Sequence, residues 1–168
     1  SVQTLAHVRG GIDPPSLINS QSISAQAKEA AMTTHTGSPQ NLAEVRGVFD
    51  RWLKAVQTRN LDGVTDGHDD DIVMFDVADP PQLNGIDEYR DIWENFFPWF
   101  GAKGIFEPSE LTITAGDDVA FSHCLVRCIG STPSEVEKPI RLTLCYRKID
   151  GEWLIVHEHH SVAWELED

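Results

Sequence analysis

The sequence predicts an α+β domain, with helices first and an antiparallel sheet after, on three observations. Leu42, Val45, Phe49, Trp52 and Val56 recur at spacings of three and four, the period of one helix face. Further along, Ile140, Leu142, Leu144 and Tyr146 alternate with other residues, the period of a strand with one buried face. Between the last two such runs stands Asp150-Gly151, a strong hairpin signal. Helices grouped ahead of strands favour α+β over a parallel α/β sheet.

Residues 1–40 stand apart. They are rich in Ser, Gln, Thr, Gly and Pro without a sustained period, and are set aside as an N-terminal arm or extension. Asp13-Pro14-Pro15 reads as a turn, and Ala25 to Met32 as a short helix on propensity. Residues 41–168 form the domain. Ser38 is a good N-cap and Pro39 suits the first helical position. The helix they start should end near Arg59-Asn60. A turn at Asn60–Gly63 and a short helical piece up to His68 come next. Asp69-Asp70-Asp71 breaks the pattern, and Ile72 to Phe75 reads as a short buried strand ending at Asp76. After the Asp79-Pro80-Pro81 loop, a helix spans about Ile86 to Phe97, stopped by Pro98 and Gly101. Strands follow at Glu110–Ala115, Val119–Ile129, Val136–Ile149 and Glu152–Ser161. A sheet curved around helices leaves a hollow at its open end, where pockets form.

The chain has 168 residues, enough for one domain. Its net charge of −14 repels phosphate backbones, so nucleic acid is not an expected partner. No apolar run approaches the ~20 residues that span a bilayer. The N-terminus lacks a basic-then-apolar secretory layout. Three cysteines, Cys124, Cys128 and Cys145, are an odd number for a disulfide framework. On one strand Cys124 and Cys128 would sit ~13 Å apart, too far to bridge. A cytoplasmic protein with no membrane contact is the expectation.

Four segments occur in order: AVQTRNLDGV, DDDIVMFD, NGIDEYRDIWENFF and YRKIDGEWLIVHEHHSVAW. Together they resemble the SnoaL-like branch of the nuclear transport factor 2-like superfamily, over about residues 41–164. That superfamily includes ketosteroid isomerase, scytalone dehydratase, polyketide cyclases, limonene epoxide hydrolase and the association domain of calmodulin-dependent kinase II. The resemblance implies a conical α+β barrel, a deep pocket between the first helix, the third helix and the sheet, and frequent dimers through the outer sheet face. It implies no single activity, because the fold hosts several.

Several residues are candidates for chemistry. Asp76 follows four apolar residues, and a carboxylate at the edge of an apolar cavity is suited to accept a proton. By chain order it resembles the general base of ketosteroid isomerase; the alternative is an Asp that caps the following loop. Trp52 resembles, by position, that enzyme's oxyanion-binding tyrosine. Its indole donates a hydrogen bond but not a proton, and core packing is the alternative. The acidic partner of such an oxyanion hole would fall near Thr143 or Leu144, neither of which is acidic. Arg141 and Thr143 share a face opposite Leu142 and Leu144. Resemblance to the kinase association domain implies that Arg141 could hold an anionic oxygen, the alternative being a surface ion pair. His157 and His159 alternate in phase with Trp153 and Ile155, so they are expected to line the pocket or to be satisfied core histidines. As a metal pair they lack further ligands, and no metal or other cofactor is expected. His123, with Phe121 and Leu125 on its face, could point into the cavity and form a proton relay with Asp76. Tyr89, Trp93, Trp99 and Phe100 are candidates for pocket wall and lip, or for ordinary core. The acid run from Asp66 to Asp71 reads as a solvated loop without calcium-loop spacing.

The leading reading is a cofactor-independent isomerase, dehydratase or cyclase acting by proton transfer on a small apolar carbonyl compound. Asp76, His123 and His157 would be catalytic, with Trp52, Tyr89, Trp93, Trp99, Arg141, Thr143 and His159 binding ligand. A homodimer through the sheet is expected. The alternative is a non-catalytic ligand-binding or oligomerisation module. Third is an epoxide hydrolase, which needs an Asp-Arg-Asp set, and no Asp lies near Arg141 in the sequence.

Overall fold

In the computed structural model, residues 34–131 and 138–164 are described; the readings at Asp13–Pro15, Ala25–Met32 and Val136 fall outside them. Helix α1 (Pro39–Thr58) starts as expected, with Ser38 Oγ accepting from Asn41 N at 3.2 Å. It ends at Arg59, whose backbone N–H caps the Ala55 and Val56 carbonyls at φ 56°. Its apolar stripe, including Val45, Phe49, Trp52 and Val56, is buried. The Asn60 side chain then caps the five-residue α2 (Leu61–Thr65).

Among the described residues, seven strands form one sheet in the order β1-β4-β5-β6-β7-β2-β3. These are β1 (Thr34–Gly37), β2 (His68–Phe75), β3 (Gln82–Asn84), β4 (Ile105–Ala115), β5 (Val119–Ile129), β6 (Ile140–Ile149) and β7 (Glu152–Ser161). The predicted antiparallel meander is β4 to β7. The sheet is nevertheless mixed: β1 runs parallel to β4 and β2 parallel to β7. Parallel neighbours need crossover connections, and helices lie within both connections here. Strand β1 lies inside the segment set aside as an arm.

Two local expectations are corrected. Asp69-Asp70-Asp71 is not a loop but part of β2. The strand pairs with β7 on either side of this run, which takes up the irregularity while His68 and Ile72 turn inward. Helix α3 (Gly85–Phe100) does not stop at Pro98 but carries it in the last turn. There the proline is exposed and interrupts one intrahelical bond, and Gly101 N donates to Phe97 O at 2.9 Å to close the helix.

Two bulges set which side chains face the helices. In β4 an extra residue falls between Ser109 and Thr112, where Glu110 adopts φ 56°. In β7 the pairing passes from Tyr146↔Ile155 to Cys145↔His157, leaving Val156 without a partner. An added residue inverts the alternation beyond it. Trp153 and Ile155 face inward before the bulge, and Glu158 and His160 after it. The Asp150-Gly151 hairpin forms as expected, with φ 51° and 87°. All three cysteines are free. Among the described residues no helix is long and apolar enough to cross a membrane.

Candidate active site

Alternation along β2 turns Ile72, Met74 and Asp76 toward the helices. Met74 is buried, and the Asp76 side chain is 12% exposed. Asp76 borders a cavity of about 590 Å³. Ile92, Trp93 and Phe96 from α3 form one wall, and Phe106, Cys128 and Ile140 from the sheet form another. Exposed Val77, Trp99 and Val162 rim its mouth. Asp76, Trp93 and Trp99, three of the residues singled out in the sequence, thus line one cavity. Asp76 also caps its loop, Oδ1 accepting from Val77 N at 2.7 Å.

The group facing Asp76 is His160, which lines the same cavity. Its Nδ1 lies 3.5 Å from Asp76 Oδ1 and its Nε2 lies 2.7 Å from Glu158 Oε1. The second contact is an ion pair by distance rather than an aligned hydrogen bond. Behind it a polar chain runs into the core. Tyr89 OH donates to Glu158 Oε2 at 2.8 Å, and Trp52 Nε1 donates to Tyr89 OH at 3.0 Å. His68 Nε2 stands 4.0 Å from Glu158 Oε2, its ring 4.6 Å from that of Tyr89.

Burial alone would raise the Glu158 carboxyl, but His160 and His68 outweigh it and hold the group below the ordinary carboxylate range. Burial alone would lower His160, but Asp76 and Glu158 outweigh it and push the imidazole above its ordinary value. The Tyr89 hydroxyl is driven well up by burial first and by Glu158 second, so it stays a neutral donor. His160 thus stands between two acidic side chains, and its contacts with them favour the protonated ring.

Seven predicted site residues do not line the pocket, five of them because they face away from it. His123 is exposed on the outer sheet face, stacked 6.5 Å from Phe121. Its strand alternates regularly with Ser122 and Cys124 turned inward, so the His123–Asp76 relay does not form. Arg141 and Thr143 take the outer face because Leu142 and Leu144 fill the inner one. His157 and His159 are turned outward by the bulge at Val156. His157 Nδ1 contacts Val73 O at 2.7 Å, and both rings meet Phe75 edge-on. Tyr89 and Trp52 are core residues one layer behind the cavity, and Phe100 is core as well. The residues missed are Glu158, His160 and His68. Nothing in a single sequence marks the bulge that brings the first two inside.

Trp52 packs on Phe49, Trp93 and Phe106 at ring distances of 5.9, 6.1 and 5.8 Å. Trp52→Ala is expected to cost about 3–5 kcal/mol in urea unfolding. Trp52→Phe keeps most of the ring volume and should cost only about 1–3 kcal/mol, from the hydrogen bond it withdraws from Tyr89. Ligand-induced thermal shifts should survive Trp52→Phe; their loss would return Trp52 to the binding surface.

Comparison with known proteins agrees with this architecture. The SnoaL-like domain family matches residues 45–165. The solved structure of an NTF2-like protein of unknown function from Pseudomonas putida is 32% identical, with a TM-score of 0.72, covering 77% of this chain and 92% of that one. A ketosteroid isomerase-like protein from Erwinia carotovora atroseptica is 19% identical, with a TM-score of 0.62, covering 76% and 100%. A cystatin-like protein of unknown function from Nostoc punctiforme is 13% identical, with a TM-score of 0.63, covering 76% and 95%. No curated protein matches. The curved sheet with helices on one face, the extent of the family match and the similarity to the Pseudomonas protein agree: this chain belongs to the SnoaL-like domain family, within the NTF2-like group of folds.

Proposed function

We propose that this protein is a cofactor-independent enzyme that moves a proton on a small, flat, apolar carbonyl compound, by isomerisation, dehydration or cyclisation. One observation carries the reading: Asp76 presents a carboxylate at the edge of a mainly apolar cavity, which Asn95 and Lys138 also line, with a buried histidine 3.5 Å away. Apolar walls exclude water and select an apolar body, while one polar edge orients the reacting carbonyl. Asp76 takes the proton from the carbon next to the carbonyl. The oxyanion partners expected from sequence do not serve, since Arg141 and His123 face outward and Trp52 lies behind Tyr89. His160 offers a side-chain donor 3.5 Å from Asp76 on the cavity wall.

The test is a thermal-shift screen with flat enones and phenols, paired with proton NMR of α-hydrogen exchange into deuterated water. Stabilisation by enones together with exchange that Asp76→Asn abolishes supports the enzyme. Equal stabilisation of both proteins without exchange of any enone would replace it with a non-catalytic binder.

The proposal extends to a homodimer through the outer sheet face. Phe75, Val119 and Phe121 remain exposed there at 39, 56 and 42%, a cost that a second copy would relieve. Phe121→Glu is expected to halve the mass measured by light scattering, and an unchanged mass would place any association elsewhere.

A further inference from the structure

Glu158 is a fully buried carboxylate that does not touch the cavity. A charge is kept in such a place only when partners hold it. Its two oxygens are divided: Oε1 faces His160 Nε2 at 2.7 Å, and Oε2 accepts from Tyr89 OH at 2.8 Å. Tyr89 is held in turn by Trp52 Nε1 at 3.0 Å. The chain of contacts ends on one nitrogen of one ring.

The other nitrogen, Nδ1, points at Asp76 Oδ1 from 3.5 Å. A neutral imidazole carries one N–H only. With carboxylate oxygens opposite both nitrogens, it would aim a lone pair at one of them. The arrangement is favourable only with hydrogens on both nitrogens, which is the imidazolium. The two contacts are unequal. Nε2 sits in a 2.7 Å ion-pair contact with Glu158, whereas 3.5 Å from Nδ1 is long for a bond to a carboxylate. The Nδ1 hydrogen therefore stays available to an acceptor that enters the cavity beside Asp76.

We propose that Glu158 is a positioning residue: by gripping Nε2, it keeps a protonated His160 on the cavity wall, with Nδ1–H as the donor to the ligand's carbonyl oxygen. This rests on the proton-transfer reading of the site above. The step balances without a further reactant. Asp76 takes the proton from the α carbon, and the C–H electron pair becomes the C=C of the enolate. The carbonyl π pair moves to oxygen, where Nδ1–H receives it.

The groups facing His160 are Asp76, just past β2, and Glu158 from β7; His68 from β2 and Tyr89 from α3 stand against Glu158, and Cys128 and Lys138 line the same cavity. Burial pushes the Cys128 thiol up to about 11. Burial and Glu158 drive Tyr89 well above its usual range. Neither masks a histidine titration near neutral pH.

The test is nitrogen-15 NMR of the imidazole rings in the full chain, with His160 assigned by His160→Gln. In the unmodified protein both His160 nitrogens should carry hydrogens at pH 7.5. In Glu158→Gln, His160 should lose its proton at least about one pH unit lower, and the alkaline limb of any turnover profile should move down with it. Glu158→Asp, which keeps the charge, should restore part of the shift. A neutral His160 in the unmodified protein at pH 7.5, or a folded Glu158→Gln with an unchanged titration, would overturn the proposal. The measurement on the unmodified protein decides the matter even if Glu158→Gln does not fold. The ring nitrogens also report whether or not an enone is turned over, so failure of this inference is distinct from failure of the proposed function.

Discussion

Asp76→Asn is expected to lower turnover of a bound enone by about 10²- to 10⁴-fold, the usual contribution of a positioned general base. The substitution is nearly isosteric. The amide oxygen can still accept from Val77 N, a bond of 2.7 Å in the parent, so the loop cap survives. What it removes is the lone pair that takes the proton. The loss should fall on kcat, with KM changed little, because a base that acts in the transition state contributes little to ground-state binding. His123→Ala should not reproduce the loss, since that ring lies on the far side of the sheet from the cavity. Turnover in Asp76→Asn within a few-fold of the parent would transfer the base to another group or end the enzymatic reading.

The contrast between Asp76 and the histidines marks how far the sequence could be read. Ile72-Val73-Met74-Phe75-Asp76 alternates without interruption, so counting two on from the buried Met74 places Asp76 inside. The helix stripe, its N-cap and the last hairpin were equally legible, because Ser38 and Asp150-Gly151 act through their own backbone neighbours. The same counting from Trp153 fails in β7. One unpaired residue at Val156 moves His157 and His159 out and brings Glu158 and His160 in. A bulge is a property of the pair of strands, and neither strand's composition announces it. Arg141 and Thr143 failed for another reason. Their alternation was read correctly as opposite to Leu142 and Leu144, and the inner face then went to the leucines. Parallel pairing of β2 with β7 was also invisible, because it joins segments far apart in the chain.

His160→Leu is expected to cost about 3–5 kcal/mol at pH 6.5, the usual result of removing one partner of a buried ion pair. Leucine fills much of the space, so the loss measures the stranded Glu158 charge, which His68 at 4.0 Å offsets only in part. The pH dependence separates charge from packing. In the parent, Glu158 is held below its ordinary value of 4.5, so its contribution is present above pH 4.5 and fades as pH falls toward the lowered value. His160 is held above its ordinary value of 6.5, so its contribution is complete below pH 6.5 and fades as pH rises toward the raised value. Both contributions are in place together between 4.5 and 6.5. Without His160, burial dominates at Glu158 and lifts it above 4.5, which reverses its sign. The penalty is then absent below pH 4.5 and grows as pH rises. Urea unfolding at pH 4 and pH 6.5 should therefore show a gap between parent and variant that narrows on acidification. A gap of the same size at both values would assign the loss to packing. Glu158→Leu combined with His160→Leu should recover part of the stability lost in His160→Leu alone, since it removes the stranded charge and replaces it with apolar contact.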